Sequence, residues 1–145
     1  MGYDIVFDFL TIFLLESNFD DTSCKMLFQI GKDNTRLKEL ILGNNRISSI
    51  GCKYLSAWLV NHQNIEMIDL EDNNIDNEAI ECLISLIQKN GNISRLLVNG
   101  DKFKSSYYEK IEKFLQFNKT YKEIKFQFKL TFEKNEDINF KFRSK

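Results

Sequence analysis

Residues 37–47 (LKELILGNNRI) decide how the rest of the chain is interpreted. A second segment, residues 65–75 (IEMIDLEDNNI), begins 28 residues later and places the same residue types at the same spacings. Both segments are apolar at their first, fourth, sixth and eleventh positions, and both carry asparagine at the ninth. A pattern that occurs twice in one chain predicts that both segments adopt the same local structure.

The same apolar positions recur when the pattern is moved by 28 residues in either direction. The strand positions recovered in this way are Phe9, Ile12 and Leu14 before the two segments, then Ile93, Leu96 and Val98, and finally Tyr121, Ile124 and Phe126. Because only 43% of all residues are hydrophobic, agreement at every strand position indicates five strands with a constant spacing.

This pattern resembles the leucine-rich repeat, L-x-x-L-x-L-x-x-N-x-L, and its period resembles the ribonuclease-inhibitor-like class of that family, with 28-residue repeats. The resemblance covers nearly the whole chain. It implies an α/β solenoid with a curved parallel sheet inside and helices outside. It also implies that Asn45 and Asn73 are structural residues, whose amides bond backbone groups where each strand turns into a loop.

A single leucine-rich-repeat domain over residues 1–145 follows from this interpretation. Its repeats start near residues 9, 37, 65, 93 and 121, and residues 1–8 form an N-terminal cap. In the first repeat, Met26, Leu27 and Ile30 recur at helical spacing and are expected to face the sheet. Apolar and polar residues alternate over 124–132 and again over 138–142, so residues 127–145 are predicted to form a C-terminal β-hairpin cap.

Cysteine usage and the apolar opening of the chain indicate a cytoplasmic protein without a membrane anchor. Three cysteines, an odd number, argue against a disulfide framework. Cys24 and Cys52 fall on adjacent predicted helices, whose spacing of about 8–10 Å exceeds the reach of a disulfide. The apolar stretch 5–15 is interrupted by Asp8 and is too short to span a bilayer.

Charge is unevenly distributed, although the formal net charge is only −1. Residues 1–118 carry 12 Lys and Arg against 17 Asp and Glu, whereas residues 119–145 carry 8 against 4. A basic tail with aromatic residues is compatible with nucleic-acid binding. Its phenylalanines alternate strictly with polar residues, however, which favours a role in the core over base stacking.

The outward positions of the predicted strands form the candidate binding surface on the concave face. The fifth position of each strand gives an unusually apolar column for solvent-facing sites, and acidic residues surround its centre. Such a surface favours a protein partner that presents apolar groups beside Lys or Arg. The helical side, the loops and the basic hairpin remain alternative surfaces. The predicted concave-face residues are Phe13, Glu39, Ile41, Met67, Asp69, Glu71, Arg95, Leu97 and Lys125.

No catalytic, metal or cofactor site is predicted. The one histidine, His62, lies near a predicted helix end among polar residues and is expected to be exposed. The run beginning at Asp72 resembles a calcium loop but has Asn77 in place of the required glycine and Leu83 in place of the glutamate. The three cysteines form no close pairs of the kind that hold zinc.

A non-enzymatic protein–protein interaction module, acting in recognition or as a scaffold, is the predicted function. Short repeat proteins of this kind serve intracellular bacteria as effectors, so secretion into a host cytosol is one setting that the resemblance suggests. One alternative is a substrate-targeting subunit of a multi-chain enzyme such as a ubiquitin ligase. The other is nucleic-acid binding through the basic C-terminal tail. A repeat surface carries no motif that names its ligand.

Overall fold

The computed structural model describes residues 10–99 and 103–134, with side chains described as far as Thr120. In this part of the chain, short strands alternate with helices. The predicted N-terminal cap, residues 1–8, lies outside the described residues. The elements are β1 (Thr11–Phe13), α1 (Asp21–Gly31), β2 (Glu39–Ile41), α2 (Ser49–Leu59), β3 (Met67–Asp69), α3 (Asn77–Lys89), β4 (Arg95–Leu97) and α4 (Ser105–Lys134).

The four strands form one parallel sheet in the order β1-β2-β3-β4. Each residue pairs with the residue 28 positions later, so Ile12 faces Leu40, Leu40 faces Ile68, and Ile68 faces Leu96. All four of these side chains are buried. Since successive side chains of a strand alternate between its two faces, the residues on either side of each buried one point away from the core.

Acidic residues at the helix starts explain where α1 and α3 begin. Asp20 accepts a hydrogen bond from the Ser23 amide at 2.9 Å, and Asp76 accepts one from the Ala79 amide at 2.8 Å. A side-chain oxygen at this position satisfies amides that have no partner within the helix.

Asp21, the first residue of α1, also holds the start of α2. Its Oδ1 atom accepts hydrogen bonds from the amides of Ser48 and Gly51, each at 2.8 Å. A Cβ atom at Gly51 would lie 2.5 Å from this oxygen. The absence of a side chain at Gly51 therefore allows the two helices to share one carboxylate.

Asn45 and Asn73 bond the loops that follow the strands. The Asn45 Oδ1 atom accepts from the amides of Ser17 at 3.0 Å and Phe19 at 2.9 Å, and Asn73 Oδ1 accepts from the Ile47 amide at 2.9 Å. Their Nδ2 groups donate to carbonyl oxygens of their own loop and of the preceding one. Those acceptors are Leu14, Leu42 and Gly43 for Asn45, and Leu42, Leu70 and Glu71 for Asn73.

The chain carries a second row of buried polar side chains. Three of its members lie just after α1, α2 and α3, where the chain returns to the sheet, and the fourth lies within α4. Asn34, His62, Asn90 and Asn118 are spaced by 28 residues, and each is buried. Asn90 donates to the carbonyl oxygen of His62 at 2.9 Å, and Asn118 donates to that of Ile93 at 2.7 Å. The expectation that His62 is exposed is wrong.

The predicted fifth strand and hairpin are wrong, because residues 121–134 continue helix α4. The sequence contains no glycine after Gly100 and no proline, so nothing in its composition interrupts the helix. Its first half packs against the core through Ile111, Phe114 and Leu115. The remainder of the predicted cap, residues 135–145, lies outside the described residues.

Candidate functional site

The outward side of the sheet, here called the open face, carries a row of one residue from each strand. Phe13, Ile41, Asp69 and Leu97 are partners in the sheet register and therefore lie side by side. Phe13 is 63% exposed and Leu97 is 39% exposed, whereas Ile41 and Asp69 are partly buried between them. Exposed apolar side chains at both ends of one row give the face its apolar character.

The neighbouring row contains an ion pair that crosses β3. Arg95 Nη2 lies 3.3 Å from Glu39 Oε1, although their strands are separated by Met67. Both side chains remain substantially exposed, so the pair contributes little to stability. Its effect on the face is to balance one of the acidic charges and to bring the Arg95 side chain towards β2.

Leu15 extends the apolar part of the face beyond the end of β1. A Cβ atom placed on Gly43 would lie 3.0 Å from Leu15 Cδ2 and 3.4 Å from Asp69 Oδ1. The Leu15 side chain and the Asp69 carboxylate therefore both lie against the space above Gly43. Gly43 thus lies where the apolar part of the face, at β1 and β2, meets its acidic part at β3.

The acidic part of the face has fixed geometry. The Asp69 carboxylate accepts a hydrogen bond from the Glu71 amide at 3.0 Å. Asp72 accepts one from Asn99 Nδ2 at 2.8 Å, and its own amide donates back to Asn99 Oδ1. These bonds orient two carboxylates at the loop edge of β3, beside the exposed Glu71.

Eight of the nine predicted face residues come together on the open face. They are Phe13, Glu39, Ile41, Met67, Asp69, Glu71, Arg95 and Leu97. The exception is Lys125, which lies in helix α4 instead of in a fifth strand. The open face is therefore four strands wide in the part of the chain that the structure describes.

Two of the thiols, those of Cys24 and Cys52, and the imidazole of His62 are buried. Burial raises the pKa of the Cys24 thiol to about 12, and it raises the pKa of Cys52 further. Burial also lowers the pKa of His62, against the opposing effect of its hydrogen bond to Asn34. None of these three groups reaches the open face.

The described residues contain neither a group of metal ligands nor a membrane-spanning helix. Within that part of the chain, no three His, Cys, Asp or Glu residues are grouped closely enough to hold a metal ion. None of its helices combines the length and the apolarity needed to cross a membrane.

A second apolar surface lies between α3 and α4. It is a crevice of about 540 Å³ whose lining includes Phe114 and Phe117, and the Phe117 side chain is 67% exposed. Lys113 is the charged residue at its border among the described side chains. The crevice is separate from the open face, so its residues provide controls for experiments on that face.

Comparison with known proteins gives structural relatives only. No family model and no curated protein sequence matches the chain. A solved structure of leiomodin-1 actin-binding site 2 matches with a TM-score of 0.72 and 14% identity, over 88% of this chain and 72% of that one. A tropomodulin C-terminal domain, solved in structural genomics of Caenorhabditis elegans, matches with a TM-score of 0.53 and 11% identity, over 86% and 90% of the two chains.

These matches correct the predicted family and fold class. Over the described residues, the fold is a small α/β domain with four helices and a four-stranded parallel sheet, similar to the leiomodin and tropomodulin domains. It is not the long leucine-rich-repeat solenoid of the ribonuclease-inhibitor-like class, closed by a hairpin, that the spacing suggested. The 28-residue spacing predicted the positions of strands β1 to β4 correctly. It also predicted a fifth strand from residue 121, where the structure has helix α4.

Proposed function

We propose that this chain is a non-enzymatic domain that binds a protein partner through the open face. The observation that carries the proposal is the row from Phe13 to Leu97, which has exposed apolar side chains at both ends and hydrogen-bonded carboxylates beside it. Exposed apolar side chains beside ordered charges are typical of protein interaction surfaces. The actin-binding descriptions of a structural relative support a protein partner in general terms.

The partner's surface should combine an apolar side chain with Lys or Arg. Phe13, Leu15 and Ile41 offer apolar contact on one half of the face, while Asp69, Glu71 and Asp72 supply negative charge on the other half. Complementary charge steers the encounter and fixes the orientation of the two proteins.

Actin is the first partner to test, because the leiomodin-1 domain with the same fold is described as an actin-binding site. A shared fold at 14% identity does not carry a function by itself. The proposal of actin therefore depends on a binding measurement with this chain. The expected cytoplasmic location is a further proposal and suits an actin partner.

The test compares wild type with the double variant Asp69→Lys/Leu97→Glu, which reverses a charge on β3 and places a charge at the apolar end of the row on β4. Monomeric and filamentous actin are presented to each protein, and partners are also captured from a cell lysate. Phe117→Ala is the matched control, because it removes an exposed aromatic side chain from the α3–α4 crevice.

Loss of binding in the double variant alone would support the open face as the binding site. Equal recovery by all three folded proteins would contradict it. If the face variant loses a lysate partner while neither form of actin binds wild type, the face is supported and actin is excluded. Circular dichroism confirms that each variant is folded.

The bacterial-effector setting, the ubiquitin-ligase subunit and the nucleic-acid alternative receive no support from the comparisons. The nucleic-acid alternative relied on the basic charge and the aromatic residues of the tail, of which residues 121–134 are helical.

A further inference from the structure

The sequence contains two Asn-Gly pairs, Asn90-Gly91 and Asn99-Gly100. Asparagine followed by glycine is especially prone to deamidation in an unfolded chain, because glycine has no side chain to hinder its own backbone nitrogen. That nitrogen attacks the asparagine Cγ atom and expels Nδ2 as ammonia, which leaves a cyclic succinimide. Of the two pairs, Asn90-Gly91 is the one that lies wholly within the described residues.

The carboxamide of Asn90 is held by three hydrogen bonds in the folded protein. Its Nδ2 group donates to the carbonyl oxygens of Leu59 at 2.6 Å and His62 at 2.9 Å, and its Oδ1 atom accepts from the Asn92 amide at 2.9 Å. The residue is only 4% exposed. The carboxamide is therefore fixed in one orientation, and departing ammonia would have to cross buried surroundings.

The Asn90 side chain and backbone connect three helices. Asn90 directly follows α3, its side chain bonds Leu59 at the end of α2, and its backbone oxygen accepts from Asn118 of α4 at 3.3 Å. Its backbone amide also donates to the Leu86 carbonyl at 2.8 Å. Release of the carboxamide therefore requires the ends of these helices to separate.

The products of deamidation do not fit this position. Aspartate has no donor, so the carbonyl oxygens of Leu59 and His62 would lose their partner and face a buried negative charge instead. Isoaspartate would also lengthen the backbone by one methylene group. Either product should lower the stability of the folded state.

We propose that Asn90 is a deamidation site that folding closes and unfolding opens, so that its modification makes unfolding of this chain irreversible. The bond from Gly91 nitrogen to Asn90 Cγ forms as the bond from Cγ to Nδ2 breaks, and the Gly91 amide proton leaves with the ammonia. One water then opens the succinimide to aspartate or isoaspartate. Chemical modification of the unfolded chain in this way competes with refolding.

Mass spectrometry of proteolytic peptides tests the protection. Conversion of Asn90 and Asn99 is followed at mildly alkaline pH, in buffer and in denaturing urea. In urea, the two sites should react at similar rates, because only the local sequence matters there. In the folded protein, Asn90 should react more than about tenfold more slowly than in urea. Smaller protection would overturn the proposal.

Gly91→Ala is the matched variant for the chemistry. A Cβ atom at this position has Asn118 Oδ1 as its nearest neighbour, at 3.9 Å, so the variant should fold. In urea, it should slow the reaction of Asn90 several-fold and leave that of Asn99 unchanged. An unchanged rate at Asn90 would contradict attack by the Gly91 nitrogen.

Refolding from urea tests the consequence. After prolonged incubation, the fraction of wild type that regains native circular dichroism should fall as Asn90 converts, whereas Gly91→Ala should retain more. Both proteins still react at Asn99, so the difference isolates Asn90. Equal recovery would overturn the proposal.

Asn90→Asp supplies one product directly. This variant should lower the folding equilibrium constant about tenfold or more. The same change at the partly exposed Asn92 should lower it less than about threefold. Equal losses in Asn90→Asp and Asn92→Asp would show that the buried position is not responsible.

Discussion

The imidazole of His62 donates from Nε2 to the backbone oxygen of Asn34 at 2.7 Å, linking two consecutive helix-to-strand turns. Its other nitrogen, Nδ1, accepts from the Ile65 amide at 3.2 Å. Because the amide can only donate, Nδ1 must be unprotonated in the folded protein. The buried side chain is therefore held as the neutral imidazole with its proton on Nε2.

This arrangement predicts that the protein loses stability as the pH falls below about 6.5, the ordinary pKa of histidine. Burial lowers the pKa of His62 in the folded state, so the unfolded chain takes up the proton first. The contribution is fully present above the unfolded-state pKa and decreases as the pH falls towards the folded-state pKa. Urea denaturation at pH 7, 6 and 5 measures it.

His62→Asn is the control for that experiment, because asparagine occupies the equivalent positions 34, 90 and 118. The variant should lose less stability than wild type between pH 7 and pH 5. Identical pH profiles would show that His62 is not the responsible group. His62→Ala should be less stable at every pH, by about 1–3 kcal/mol, because backbone groups lose their partner.

Gly51→Ala should destabilise the protein by about 1–3 kcal/mol, although alanine is normally the better helix former. The new Cβ atom would lie 2.5 Å from Asp21 Oδ1 and 2.7 Å from Ile47 Cγ2, so helices α1 and α2 would have to move apart. Thermal and urea unfolding measure the change.

Gly91→Ala is the matched control for Gly51→Ala. The nearest atom to a Cβ at Gly91 is Asn118 Oδ1, at 3.9 Å, and Gly91 does not have a positive φ angle. Its stability should be unchanged or slightly increased. Equal losses at both glycines would contradict the steric explanation.

Asn73→Ala should cost about 2 kcal/mol or more, because one buried acceptor and one buried donor disappear together. The amide of Ile47 and the carbonyl of Leu42 lose bonds of 2.9 and 2.8 Å. The neighbouring Asn74, whose side chain is exposed, provides the comparison. A cost for Asn74→Ala as large as that for Asn73→Ala would weigh against this explanation.

Phe13→Ala should weaken partner binding about tenfold or more, with little effect on the free energy of unfolding. The side chain is 63% exposed, so few core contacts depend on it. Isothermal titration with the identified partner measures the change, and Phe117→Ala should bind as wild type does. Unaltered affinity in Phe13→Ala would remove β1 from the proposed interface.

The 28-residue spacing predicts the sheet register because it uses side chains whose burial defines the fold. Ile12, Leu40, Ile68 and Leu96 were identified by their apolar character and are paired in the structure. The spacing failed at Ile124, because residues 105–134 continue as one helix. Alternating apolar residues predict a strand only where the preceding helix has ended.

The predictions for individual side chains failed for another reason, because the identity of one residue does not show which residues pack against it. His62 taken alone, among polar neighbours, resembles a surface residue. Its spacing of 28 residues from both Asn34 and Asn90 is the signal in the sequence that it occupies an equivalent position. Helical periodicity located Met26 and Ile30 on α1, but the expectation that both face the sheet is wrong, since both side chains are exposed. The open face could be predicted more completely, because strand alternation alone determines which residues point outward.

The carboxylate that Asp21 of α1 offers to α2 has a consequence for how the protein resists force. Pulling on the chain before β1 loads the β1–β2 pairing first and then α1, whose detachment also removes the acceptor of the Ser48 and Gly51 amides. Rupture at this end should therefore release both helices in one step instead of peeling them away singly. A tether attached at the N-terminal end would therefore meet a barrier to which the start of α2 contributes through the Asp21 side chain.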